Sequence, residues 1–184
     1  MNLAAYCGKL VRLAVYNPAT DAAALARWNN NVEYQRLSSL NAAFLPSARQ
    51  VEEWYEKHLE EQVTFFIHTL ADDRVIGGLE FSLPDAAGNS WIGIGIGERE
   101  DWGKGYGTEA MRLALDFAFG EMNLNRVSLS VYEYNPRAVR SYEKAGFQHE
   151  GRQRQAILHG GHRWDMLFMG ILRSEWENAR SAPI

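Results

Sequence analysis

Apolar residues in this chain fall into short alternating runs and longer runs at helical spacing. Residues 9–16 read as a first strand carrying Leu10, Val11, Leu13 and Val15. Asn17-Pro18 breaks that run, and Thr20 or Asp21 is placed to cap a helix over 22–30, ended by Asn29-Asn30-Asn31. After Pro46-Ser47, residues Val51, Trp54, Tyr55 and Leu59 recur at helical spacing, as a core-facing stripe does. Residues 63–70 and 75–83 form a hairpin about Asp72-Asp73, and 84–89 is a loop with Pro, Gly and Asn. A strand over 91–96 precedes a long helix over 106–122, with Leu113, Leu115, Phe117, Ala118 and Met122 as its apolar surface. Val127, Leu129 and Val131 alternate through a strand over 126–132. A helix follows over 136–145, with Gly146 as its stop. Two last strands, 147–158 and 164–172, flank the turn His159-Gly160-Gly161-His162.

Strands and helices mix here without regular βα alternation. That order predicts an α+β fold: a mixed, mostly antiparallel sheet of about seven strands flanked by about four helices. A doubly wound nucleotide-binding fold would alternate more strictly. No repeat, low-complexity tract or linker divides the chain, so residues 1–184 are expected to form one domain.

Composition narrows the class. Apolar content of 46% and charged content of 23% suit a soluble globular protein. No apolar run approaches the ~20 residues that cross a bilayer, and residues 1–6 lack the features of a signal peptide. The single cysteine, Cys7, cannot form an internal disulfide, and no Cys/His cluster suggests a metal. A cytoplasmic protein with no membrane partner is expected. The net charge of −4 disfavours general nucleic-acid binding and suits a cationic substrate such as an amine.

Chemistry concentrates where Ile92-Gly93-Ile94-Gly95-Ile96-Gly97 runs into Trp102-Gly103-Lys104-Gly105-Tyr106-Gly107-Thr108-Glu109-Ala110. A strand ends in a glycine-rich turn that opens a helix. Helix starts carry free N–H groups and the positive end of the macrodipole, and glycines bring those groups close to a phosphate. A phosphorylated ligand is therefore expected. The Gly-Lys-Ser/Thr ending of a P-loop and the Gly-x-Gly-x-x-Gly spacing of a dinucleotide site are both missing.

Three segments, Trp102 to Ala110, Asn135-Pro136-Arg137-Ala138 and Tyr142-Glu143-Lys144-Ala145-Gly146-Phe147, carry a resemblance that spans nearly the whole chain. In this order and spacing the sequence resembles the GNAT superfamily of acetyl-coenzyme A dependent N-acetyltransferases. Within it, the likeness is to the branch that acetylates ribosomal-protein N-termini. The family's loop reads Arg/Gln-x-x-Gly-x-Gly/Ala; Gly105 and Gly107 fit it, while Trp102 stands where Arg or Gln is usual. The resemblance implies acetyl-CoA as cosubstrate, no metal, and direct transfer to a primary amine in a ternary complex. It assigns the coenzyme's pyrophosphate to the backbone amides of Gly103, Lys104, Gly105, Tyr106, Gly107 and Thr108, its pantetheine arm to backbone around Ile94, Ile96 and Gly97, and Trp102 to the coenzyme-binding set. An amide there could also polarise the acetyl carbonyl. Gly93, Gly95 and Gly97 either open room for pantetheine or admit bulky neighbours from a covering helix. Asn135 and Arg137 are implied coenzyme contacts, and Asn135 also suits a helix cap. Tyr142 is implied as the acid for the departing thiolate, with core packing as its alternative.

No residue stands out as general base. Glu80, Glu98, Glu133, His159 and His162 are candidates, and Trp91 occupies the strand position where many relatives carry a glutamate. The acceptor is expected between residues 30–44 and the turn 159–165. Asn29, Glu33, Tyr34, Glu80 and Asp165 could orient an amine there, and Trp28 and Trp164 could wall it. A protein N-terminus is the first acceptor implied; polyamines, aminoglycosides or other small amines are the alternatives, as is a non-catalytic coenzyme A sensor. A homodimer is possible, with Trp176 either at its interface or in the core.

Overall fold

The computed structural model describes residues 6–39, 45–58 and 62–181. β1 (Val11–Ala14) is followed by α1 (Pro18–Asn29), α2 (Val32–Ser38) and α3 (Ala48–His58). Then come β2 (Gln62–Thr69), β3 (Val75–Ser82), β4 (Asn89–Ile96), α4 (Tyr106–Gly120), β5 (Arg126–Tyr132) and α5 (Pro136–Ala145). β6 (Gln148–His159), β7 (His162–Leu172) and α6 (Arg173–Ser181) complete the order. One seven-stranded sheet runs β1-β2-β3-β4-β5-β7-β6. Every neighbouring pair is antiparallel except β4–β5. The mixed α+β sheet matches the sequence expectation, with two more helices than expected.

The sheet carries a core on each face. Phe65, Ile67, Leu79 and Phe81 pack with Met111, Ala114, Leu115 and Phe119 of α4. Phe66 and Val75 pack with Ala24, Leu25 and Trp28 of α1 and Val51 of α3. Neighbouring Phe65 and Phe66 serve opposite cores because successive strand side chains alternate. Among the described residues no helix is long and apolar enough to cross a membrane.

Three helices depart from the sequence reading. Asn17-Pro18 starts α1: the Asn17 side chain accepts from the Ala19 N–H at 3.1 Å, and Pro18 takes the first helical position. Asp21 lies inside the helix, where its buried carboxylate accepts from the Asn17 N–H at 2.9 Å. The three asparagines end one helix and begin another. Asn30 closes α1, and Asn31 caps the unforeseen α2 by accepting from the N–H groups of Glu33 and Tyr34. Helix α6 was hidden by its polar composition and is held by Trp176. That indole donates to Asp116 at 2.9 Å and packs on Phe119, so Trp176 is partly buried against the core. On α3, Val51 is buried but Trp54 is half exposed; the side chain of Tyr55 and residue Leu59 lie outside the described residues.

A carboxylate ties the start of β1 to α4. Glu109, in the first turn of α4, accepts from the backbone N–H groups of Lys9, Leu10 and Val11 at 2.9, 2.7 and 2.8 Å. A charged acceptor on three N–H groups is stronger than a neutral one. Glu109→Ala is expected to cost about 2–3 kcal/mol, lowering the melting temperature by roughly 5–10 °C. Thermal unfolding followed by circular dichroism tests this; an unchanged midpoint would mean that water replaces the carboxylate without loss.

Candidate active site

β4 and β5 pair only over Asn89–Trp91 and Arg126–Ser128. Beyond that point they part, and a cleft of about 750 Å³ opens between Ile92 to Ile96 on one side and Ser130, Val131 and Tyr132 on the other. Strand geometry decides which backbone groups face it. The Gly97 N–H donates to Ile76 on the β3 side at 2.9 Å, so Gly93 and Gly95 also turn their polar groups toward β3. Ile94 and Ile96 turn theirs to the gap. The Trp102 indole N–H takes the Ile96 carbonyl at 2.8 Å, leaving the N–H of Ile96 and both groups of Ile94 for a ligand. Gly97 thus drops out of the expected set: its amide is spent within the sheet.

The alternate glycines resolve in favour of bulky neighbours. A side chain at Gly93, Gly95 or Gly97 would collide with Glu80, Tyr34 or Trp28 respectively. Open space along this edge comes from the parting of β4 and β5 instead. The vacancies seat three side chains in a row along β4, two of them polar. Glu80 is open to water within the cleft, yet protein packed on its other sides raises its carboxyl above the usual glutamate range. It has no hydrogen-bond or ion-pair partner among the described residues. Burial first, then the nearby Glu80 charge, hold the Tyr34 hydroxyl far above its ordinary pKa. Trp28 donates its indole N–H to Glu98 at 3.1 Å.

The turn after β4 forms the cleft floor. Buried Asp101 receives two hydrogen bonds from Arg74, at 2.8 and 3.0 Å, and lies 3.6 Å from Lys104. The Arg74 hydrogen bonds, with the charges of Arg74 and Lys104, hold its carboxyl below the usual range. Gly103 and Gly105 sit at φ +75° and +89°, where side chains are strained. Open space surrounds Gly103, so conformation rather than crowding requires that glycine. Gly105 caps α4 without a side chain, leaving the first N–H groups of the helix unclaimed beside the cleft. The Thr108 hydroxyl pairs with Ser141 at 2.8 Å, joining α4 to α5.

Helix α5 presents the facing wall. The Asn135 carboxamide oxygen caps it through the Ala138 N–H at 3.3 Å; its amide NH₂ has no protein acceptor among the described residues. Arg137 lies over the Trp102 ring, 3.5 Å from its centroid. Tyr142 lines the cleft, and its hydroxyl has no protein partner among the described residues. Burial, then the Glu80 charge, raise that hydroxyl to about 12, partly opposed by Arg137.

The cleft therefore gathers Glu80, Ile94, Ile96, Trp102, Gly103, Gly105, Tyr106, Gly107, Thr108, Asn135, Arg137 and Tyr142. Other candidates are engaged elsewhere. Glu98 is ion-paired with Arg27 at 2.5 Å, braces Trp28 and is outside the lining of the cleft. The Lys104 side chain turns to Asp101 outside the lining. Glu33 pairs with Arg99, and Asn29 bonds its own helix. Glu133 accepts from the Asp165 N–H, Asp165 accepts from Gln155, and His159 stacks on Tyr134. His162 and Trp164 are also outside the lining. Arg140 and Lys144 went unnoticed, yet both line the cleft. Their spacing of three and seven residues from Arg137 was the available signal, since it places all three on one helix face.

The profile of the Acetyltransferase (GNAT) domain matches residues 12–148. The chain belongs to the GNAT acetyltransferases. A Bacillus subtilis relative, the prophage-derived uncharacterized N-acetyltransferase YokL, is 30% identical over 150 residues, covering 80% of this chain and 84% of that protein. The spermidine N(1)-acetyltransferase of Vibrio cholerae is 32% identical over 130 residues, covering 70% and 75%. A crystal structure of spermidine N-acetyltransferase from that organism, in complex with CoA and spermine, superposes with a TM-score of 0.82 at 26% identity, over 93% of this chain and 100% of that one. This GNAT chain is an acetyl-CoA dependent N-acetyltransferase. Its cleft has the fittings such a cosubstrate needs: free backbone groups along a parted strand, unclaimed N–H groups at a helix start and a cation unpaired among the described residues.

Proposed function

We propose that this GNAT enzyme acetylates a primary amine on a small cationic molecule of the polyamine class, with Glu80 receiving the amine. One observation carries the reading. Glu80 is a recessed carboxylate, unpaired among the described residues, in the same cleft as Tyr142. With no cation beside it among the described residues, that carboxylate is open to pair with an ammonium entering the cleft. The likeness to a spermidine acetyltransferase and the net charge of −4 support it.

Acetyl-CoA supplies an activated acetyl group and, on transfer, a departing thiolate. Ionised Glu80 pairs with the acceptor's ammonium and takes its proton, which leaves nitrogen with the lone pair it needs to attack. The N–H groups of Ile94 and Ile96 donate toward the gap, where they hold a carbonyl oxygen or an amide of the arm. As the C–N bond forms and the C–S bond breaks, the second proton on nitrogen passes to the departing sulfur or to solvent, while Tyr142 stays un-ionised and donates a hydrogen bond to that sulfur. The N–H groups from Gly103 to Thr108, with Arg137, hold phosphate charge.

A thiol-release assay with acetyl-CoA tests the acceptor against polyamines, aminoglycosides and peptides with free N-termini. Polyamines are expected to give the highest kcat/KM. Fastest turnover with peptides would replace this reading with N-terminal acetylation. Release with none of the classes would overturn it.

A further inference from the structure

Arg137 has an unusual setting for an arginine in a cleft. No carboxylate or carbonyl among the described residues takes its N–H donors; its recorded contact is the face of Trp102. Burial on this side chain lowers its pKa from the ordinary arginine value, which marks a partly desolvated cation. Trp102 itself is pinned, since its indole N–H is bonded to the Ile96 carbonyl. The ring is therefore a fixed plate between the end of β4 and the first turn of α5. A guanidinium stacked on an indole keeps all its N–H groups at the edge, free for an in-plane partner. Beside that edge lie Gly103 to Thr108, with their unclaimed helix-start N–H groups. An unspent fork of donors next to an N–H nest suits a doubly charged phosphate group.

We propose that Trp102 is a positioning residue for Arg137: its ring carries the guanidinium, from another helix, to the pyrophosphate of acetyl-CoA, while the loop's own cation, Lys104, is turned to Asp101. The inference rests on the acetyl-CoA reading of the cleft. Trp102→Phe keeps an aromatic face and loses the bond to Ile96, whereas Trp102→Leu loses both. The difference between the two isolates the stack.

Calorimetric titration with CoA provides a readout independent of turnover. Arg137→Ala is expected to weaken CoA binding about tenfold or more, and Trp102→Leu to bind roughly fivefold to tenfold more weakly than Trp102→Phe. In an Arg137→Ala background the Phe and Leu variants should bind CoA alike. Kinetics supply the second arm. Arg137→Ala should raise KM for acetyl-CoA more than it lowers kcat, and cost far less in kcat/KM for S-acetylpantetheine, which lacks the pyrophosphate, than for acetyl-CoA. A Phe-to-Leu difference that persists without Arg137 overturns the proposal, as does an equal loss with S-acetylpantetheine. A wild-type protein that fails to bind CoA overturns the underlying functional reading instead.

Discussion

Glu80→Gln is expected to lower kcat/KM for the amine about a hundredfold near neutral pH, within the range a positioned base contributes. The substitution keeps the volume seated over Gly93 and removes the charge, so the fold is retained. Two functions are lost together: the counter-ion for the ammonium and the acceptor for its proton. Their pH signature separates Glu80 from a structural residue. Only the ionised carboxylate can act, so wild-type activity falls as pH drops through the Glu80 pKa. Burial raises that pKa, so the acid limb lies above the ordinary glutamate value of about 4.3. In the Gln variant that limb is absent. Its rate instead climbs with the fraction of free amine, and its deficit shrinks in alkali. A kcat/KM profile from about pH 5 to 10 for both proteins reads this out. The same acid limb in the variant would assign the titration to another group.

How much of this was legible in the chain depended on how local the cause was. The glycine turn, the Asn135-Pro136 helix start and the strand alternation of Val127, Leu129 and Val131 act over a few residues, and each is where the sequence places it. Helix α2 was hidden because Asn31 serves as a cap directly after a helix end, and consecutive asparagines read equally well as a loop. Helix α6 depends on Trp176 finding Asp116 and Phe119, sixty and fifty-seven positions away, which no local pattern records. The same limit governed the site. Glu80 and Glu98 are indistinguishable as isolated glutamates. Only the register of β3 on β4 sets the first over Gly93, and only Arg27, on another element, neutralises the second. Gly93, Gly95 and Gly97 were legible as vacancies, but their occupants come from α1, α2 and β3.

Tyr142→Phe is expected to reduce kcat about a hundredfold, comparable to loss of one donor in a preorganised site. CoA affinity should stay within about threefold, and the melting temperature should be unchanged. The stability expectation follows from packing: the ring lies against Phe147 and the core, while the hydroxyl has no protein partner among the described residues to lose. The mechanistic expectation follows from the hydroxyl's pKa, pushed up to about 12. A thiol is near 8.5, so complete proton transfer from Tyr142 to a free thiolate would run uphill by about three and a half pH units. A hydrogen bond to the developing negative charge carries no such penalty, so the role proposed for Tyr142 is that of a neutral donor. The wild-type profile should accordingly show no loss of activity from tyrosine ionisation below about pH 11. Calorimetry with CoA beside steady-state kinetics separates the outcomes. Equal losses in affinity and kcat would make the hydroxyl a binding group. An unchanged kcat would leave Tyr142 as packing, with the departing sulfur stabilised by water or by another donor in the cleft.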